Sequence, residues 1–197
     1  MACMGKSYSL SLLSSKYNIL GTDFYENVER CPLFRLKHDI KVIQIIYSIY
    51  MSTIHLYPSN SDPSKFTLQD RCCFSDLFYQ TVYDEMTRKN SGLPRLDMIF
   101  NNKLLREEFE KYHILFILSS PDSHEKVLDR MKMRQNDIDR LSIDYVQAQY
   151  LVFSHLKQYK IPSFYFLELP KEALYTKQGS ELITNKIVSI EKQMSGA

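Results

Sequence analysis

Apolar residues recur at two different spacings along the chain, and these spacings predict alternating strands and helices. Residues 112–119 form a nearly continuous apolar run, which is typical of a parallel strand covered on both faces. Residues 163–169 form a second such run. Residues 38–56 are apolar at intervals of three and four, which predicts a long helix. Further helices are predicted at residues 73–89, 96–111, 122–134, 142–159 and 172–194.

Shorter segments complete the alternation. A helix is predicted to begin at Ser7, and short extended pieces are predicted at residues 17–21 and 65–69. Pro, Ser and Asn residues mark a loop at residues 58–64, and a second break falls at residues 90–94. The pattern predicts an α/β fold in three layers, with a parallel sheet and helices on both faces. Ligands bind such sheets beyond the carboxyl ends of the strands.

Length and composition indicate one folded unit. The chain has 197 residues, which predicts a single domain over residues 1–197. Its formal net charge of +2 does not favour a nucleic-acid or membrane-surface partner. No apolar run reaches the roughly 18 residues that cross a bilayer, and the first residues lack a signal-peptide core. We therefore expect no nucleic-acid partner and no membrane association.

The cysteines indicate a reducing compartment. None of the four lies at a metal-ligand spacing or in a CxxC pair. Reduced thiols are typical of intracellular proteins, so a cytoplasmic location is predicted. The residues are Cys3, Cys31, Cys72 and Cys73.

Gly5-Lys6-Ser7, at the start of the first predicted helix, is a candidate phosphate-binding sequence. In a phosphate-binding loop, backbone N–H groups surround the phosphates, the Lys contacts their oxygens and the Ser hydroxyl binds magnesium. The tripeptide alone is a weak signal, because the full pattern has another Gly five residues earlier. Its position before a helix makes it a serious candidate.

Asp70-Arg71 follows the extended piece at residues 65–69, which places both groups at the carboxyl end of a strand. There the carboxylate could help to hold magnesium, and the guanidinium could hold a phosphate. The alternative is a helix-capping Asp beside a surface Arg.

Two further groups of charged residues are candidates. Arg130, Lys132 and Arg134 follow the most apolar strand and could form a basic lid over phosphates, or a solvated helix face. Glu26 and Glu29 follow the first extended piece. A carboxylate there could accept the proton of a substrate hydroxyl, or be solvated on a loop.

Taken in their order along the chain, these motifs resemble those of the P-loop deoxynucleoside kinases over nearly the whole sequence. Glu26-Asn27-Val28 is similar to the family's Glu-Pro-Val motif, and Asp70-Arg71 with Ser75 to its motif after the third strand. Residues 119–134 resemble its strand and lid helix. The thymidylate kinase branch is a close rival, since residues 70–80 also resemble its Asp-Arg-Tyr run, with Cys72 in place of the Tyr.

The resemblance implies transfer of the ATP γ-phosphoryl group to a deoxynucleoside 5′-hydroxyl, with ATP and Mg²⁺ as cofactors. It implies a small nucleoside or nucleotide as substrate, a lid around residues 130–140 and a possible homodimer. The implied roles cover the proton acceptor (Glu26), the phosphate ligands (Gly5, Lys6, Ser7, Arg71, Arg130 and Arg134), the magnesium ligands (Ser7 and Asp70) and the substrate ligands (Gln44 and Asp139).

The sequence departs from the family at its start. The family begins with a buried strand before the phosphate loop, and the first strand therefore looks missing here, while Cys3 stands where a loop Gly is usual. Either upstream residues supply the strand, or the chain is a degenerate, non-catalytic homologue used for binding or assembly. The charged positions kept downstream favour the first explanation.

Overall fold

The computed structural model of the chain describes residues 4–20, 62, 64–71, 74–88, 92–134 and 140–196. The predicted helix at residues 38–56 lies outside these residues. Within them, the helices are α1 (Lys6–Ser11), α2 (Ser75–Arg88), α3 (Gly92–Asn101), α4 (Lys103–Glu110), α5 (His124–Arg134), α6 (Ile143–His155) and α7 (Lys177–Ser195). The strands are β1 (Asn18–Leu20), β2 (Thr67–Gln69), β3 (Ile114–Ser119) and β4 (Phe164–Leu169). Short 3₁₀ turns span Pro121–Ser123 and Leu156–Tyr159.

The strands pair in parallel, as the sequence predicts. β1 pairs with β2, with Asn18 opposite Thr67. β3 pairs with β4 from Ile114 opposite Phe164 to Ser119 opposite Leu169. Parallel neighbours need a crossover connection, and α5 and α6 lie between β3 and β4 in the chain. The α/β prediction is confirmed, although the described strands form two separate two-stranded sheets.

Helices pack against β3 and β4. α6 packs against β3 and α2, whereas α7 packs against β4 and α1. Phe116 of β3 contacts Phe78 of α2 and Phe153 of α6, with ring centroids 5.5 and 5.9 Å apart. β3 is buried along nearly its whole length, and Leu118 is fully buried. Its continuous apolar sequence therefore reflects cover on both sides.

The prediction of a single helix over residues 96–111 is wrong, because the helix is interrupted at Asn102. That residue has extended dihedral angles, φ −80° and ψ 115°. Its side-chain oxygen accepts hydrogen bonds from the N–H groups of Leu104 at 3.1 Å and Leu105 at 3.2 Å. Asn102 thus caps a new helix, as its short polar side chain favours.

Candidate functional site

A cavity of about 620 Å³ separates the two sheets. Thr67–Gln69 of β2 line one side and residues 113–117 the other, and Ile183 and Ile187 of α7 add apolar side chains. Lys6, Asp70 and Arg71 also line this cavity. Because Asp70 and Arg71 directly follow β2, this polar group lies at the carboxyl end of that strand, where α/β proteins bind ligands.

The first turn of α1 reaches this polar group. Gly5 precedes α1 with φ +76°, in the left-handed region that glycine enters without a steric penalty. Two residues later, the Ser7 hydroxyl donates a hydrogen bond of 2.8 Å to Oδ2 of Asp70. The two residues that the resemblance implies as magnesium ligands are 63 positions apart in the chain and in direct contact in the fold.

Two buried polar atoms beside this contact have no hydrogen-bond partner among the described residues. They are Oδ1 of Asp70 and Nε2 of Gln69, and both residues line the cavity. Buried polar atoms in folded proteins are almost always paired with protein groups or water, so this acceptor and this donor are available to water or to a polar ligand. Sequence reasoning missed Gln69, because a lone polar residue at a strand end carries no distinctive pattern.

Arg71 has an unusual backbone conformation. Its φ of +87° lies in a region that residues other than glycine rarely adopt. Such strain persists where the surrounding structure imposes it, and it concentrates at functional sites. The Arg71 guanidinium lies over the ring of Tyr79 on α2, 5.1 Å from the ring centre. Tyr79 is a second residue that sequence reasoning gave no role.

The predicted lid cations lie on α5. The Arg130 guanidinium is 5.7 Å from the centre of the Tyr175 ring, and Lys126 Nζ is 5.9 Å from it. Lys126 also donates a hydrogen bond of 2.9 Å to the Lys171 carbonyl. Arg134 is exposed at the end of α5. Arg130 and Arg134 are not among the described residues that line the cavity.

Glu191 of α7 also lines the cavity and binds the segment after α1. Its carboxylate accepts hydrogen bonds from Lys16 Nζ at 2.5 Å and from the Tyr17 hydroxyl at 2.6 Å. These two donors, Lys16 above all, lower the pKa of the Glu191 carboxyl. These hydrogen bonds attach the segment after α1 to α7, and Tyr17 and Glu191 both line the cavity.

The predicted residues Glu26, Gln44 and Asp139 lie outside the described residues, as do residues 135–139 of the predicted lid. Among the residues that are described, no group of three or more His, Cys, Asp or Glu side chains could hold a metal ion. In the same part of the chain, no helix has the length and apolar character needed to span a membrane.

The fold is similar to that of solved nucleoside kinases. A deoxyadenosine kinase from M. mycoides with bound dATP aligns with a TM-score of 0.61 and 21% sequence identity, covering 95% of each chain. The same enzyme with bound dCTP aligns with a TM-score of 0.59 over 96% of each chain, also at 21% identity. No family model and no curated protein matches the sequence significantly. The predicted resemblance is thus confirmed for the architecture, and the chain shares the α/β fold of these deoxyadenosine kinases.

Proposed function

We propose that this protein is a phosphotransferase that moves the γ-phosphoryl group of ATP to the 5′-hydroxyl of a deoxynucleoside. The observation that carries the proposal is the contact of 2.8 Å between Ser7 and Asp70, because Asp70 lines a cavity that Lys6 and Arg71 also line. A hydroxyl, a carboxylate and two cations at the carboxyl end of a strand form a set suited to a polyphosphate. The fold shared with deoxyadenosine kinases supports this interpretation.

Lys6 and Arg71 provide the positive charge. In phosphoryl transfer, negative charge spreads over the equatorial oxygens of the transferred group, and fixed cations stabilise it. Lys6 follows the left-handed Gly5, and Arg71 is held over Tyr79. The Arg71 guanidinium is therefore placed by packing before a ligand arrives, which reduces the reorganisation that binding requires.

The residues present fit a magnesium ion. Mg²⁺ prefers oxygen ligands, and it is usually held by one or two carboxylates together with substrate phosphates. Ser7 Oγ and Asp70 offer such oxygens, and Oδ1 of Asp70 is without a partner in the described part of the chain. When bound, the ion would supply charge neutralisation at the phosphate oxygens.

The remaining roles belong to the proposal through the family resemblance. Glu26 accepts the proton of the 5′-hydroxyl while the hydroxyl oxygen forms a bond to the γ-phosphorus and the bond to the β-phosphate oxygen breaks. Gln44 contacts the base and Asp139 the sugar. Arg130 and Arg134 act as lid cations.

The experiment measures ATP-dependent phosphorylation of deoxyadenosine, deoxycytidine, deoxyguanosine and thymidine, with thymidine monophosphate as a separate substrate. We expect the wild-type chain to phosphorylate at least one nucleoside. Lys6→Ala and Glu26→Gln should each lower kcat by about a hundredfold or more, since each removes a group that acts in the transition state. Lys103→Ala, which removes a cation from an exposed position on α4, is the matched control and should retain full turnover.

Different outcomes separate the alternatives. Phosphorylation of thymidine monophosphate alone would replace the proposal with the thymidylate kinase reaction. A folded wild-type chain without turnover on any substrate, and without a thermal shift on addition of ATP and Mg²⁺, would favour the non-catalytic alternative. Normal turnover in Lys6→Ala would contradict the role given to the phosphate loop.

A further inference from the structure

The backbone at Arg71 is restricted, but the backbone alone does not orient its guanidinium. The φ of +87° fixes the direction in which the side chain leaves the main chain. An Arg side chain still has a flexible stem with many accessible rotamers. A guanidinium that must meet a phosphate in one geometry therefore needs a second contact that selects a rotamer.

Tyr79 supplies such a contact. It lies on α2, one helical turn after Ser75, and its ring lies under the Arg71 guanidinium at 5.1 Å. Both residues line the cavity and both are half-buried. Stacking on a ring face engages the guanidinium through its planar surface and uses none of its five N–H donors.

The Tyr79 ring is itself held in place. It meets the ring of Phe153 on α6 edge-on, with centroids 5.9 Å apart and an interplanar angle of 81°. Phe153 is buried in the core, where it also contacts Phe78 and Phe116. A series of contacts connects the core, through Tyr79, to Arg71. The Tyr79 ring therefore cannot rotate away from the guanidinium without disturbing its packing on Phe153 of α6.

We infer that Tyr79 is a positioning residue, which holds the Arg71 guanidinium toward the phosphoryl group that is transferred. The inference rests on the proposed function and extends it to a residue that acts through Arg71. The aromatic face orients Arg71, and the Tyr79 hydroxyl is not needed for this role.

Kinetics of Tyr79→Leu and Tyr79→Phe test the inference. Loss of a cation–π contact, worth about 0.5–2 kcal/mol, corresponds to a fall in kcat of about two- to thirtyfold for Tyr79→Leu. The nucleoside KM should change less than kcat, because Arg71 acts on the phosphoryl group. Tyr79→Phe keeps the ring and should restore turnover. Tyr83→Leu is the matched control, since Tyr83 is one turn further along α2 and stacks on Tyr145 at 5.5 Å.

Proton NMR of the Arg71 side chain separates this inference from the proposed function. In the wild type and in Tyr79→Phe, the ring current should shift the side-chain proton resonances of Arg71 upfield, and Tyr79→Leu should abolish that shift. A shift that survives in Tyr79→Leu, or equal kcat losses in Tyr79→Phe and Tyr79→Leu, would overturn the inference. A wild type without turnover would overturn the proposed function and the catalytic purpose of the contact, while the resonances still report whether Tyr79 orients Arg71.

Discussion

At the scale of single residues, the burial of His124 changes the pKa of its side chain. His124 begins α5 and is only 7% exposed. Its Nε2 has no hydrogen-bond partner among the described residues, and its ring lies 5.2 Å from that of Tyr150. Burial lowers the pKa of this imidazole, and the opposing influence of Asp122 is smaller.

The lowered pKa of His124 predicts a loss of stability in mild acid. Below a pH of about 6.5 the unfolded chain binds a proton at this His more readily than the folded chain does. The stabilisation is therefore fully present above that pH and is lost as the pH falls toward the lower pKa of the folded state. Urea unfolding between pH 7.5 and 5.5 should show a falling free energy of unfolding, and the fall should be smaller in His124→Phe.

A comparison at pH 8 provides the control for this prediction. There the imidazole is neutral in both states, so any difference between His124→Phe and the wild type reports packing alone. An equal dependence on pH in the two proteins between pH 7.5 and 5.5 would contradict the assignment to His124.

At the scale of elements, apolar periodicity located most helices and strands, and capping decided where they end. The helix predicted at residues 172–194 instead spans Lys177–Ser195. The Thr176 hydroxyl accepts a hydrogen bond from the Gly179 N–H at 3.3 Å, and Thr176 has extended dihedral angles. The residues before this cap turn back on themselves, with the Ala173 N–H donating to the Pro170 carbonyl. Periodicity does not detect such a boundary, because the apolar residues continue across it.

The break between α3 and α4 gives a direct test of capping. Asn102→Ala should lower the free energy of unfolding by about 1 kcal/mol, since it removes the acceptor for the Leu104 and Leu105 N–H groups. Asn101→Ala is the matched control, because Asn101 is the exposed last residue of α3 and should change stability by less than about 0.5 kcal/mol. Equal losses in the two variants, measured by urea unfolding, would contradict the capping role.

At the scale of the whole molecule, one hydrophobic cluster connects residues from the two ends of the chain. It includes Met4 before α1, Phe78 of α2, Leu118 of β3 and Ile183 of α7. Elements that share a core are expected to unfold together. This agrees with the sequence-based prediction of a single domain over residues 1–197, which stays a prediction until unfolding is measured.

Leu118→Ala tests that cooperativity. Leu118 is fully buried in β3, so the substitution should lower the free energy of unfolding by about 2–5 kcal/mol. The fluorescence of the tyrosines and the far-ultraviolet circular dichroism should still change in one coincident transition. Leu104→Ala, at a 72% exposed position on α4, is the control and should have little effect. Two separated transitions would contradict a single domain.

Much of the candidate site could be predicted from the sequence, for a reason of chain geometry. A residue that directly follows a strand lies at its carboxyl end, so Asp70-Arg71 could be placed without coordinates at the end of a strand where α/β proteins bind ligands. The phosphate-loop pattern placed Gly5-Lys6-Ser7 at the start of a helix, and α1 begins at Lys6. Gln69 and Tyr79 could not be found in this way, because their importance depends on unpaired atoms and ring contacts in the folded chain.

By itself, the sequence determined the alternation of strands and helices and the α/β architecture, because periodicity is a local property of the chain. Only the tertiary structure decided that Ser7 touches Asp70 across 63 positions, that Arg71 lies over Tyr79 and that a cavity separates β2 from β3. The physical reason is that such contacts depend on how the helices pack on the strands, and no local pattern encodes the distance between segments that packing brings together.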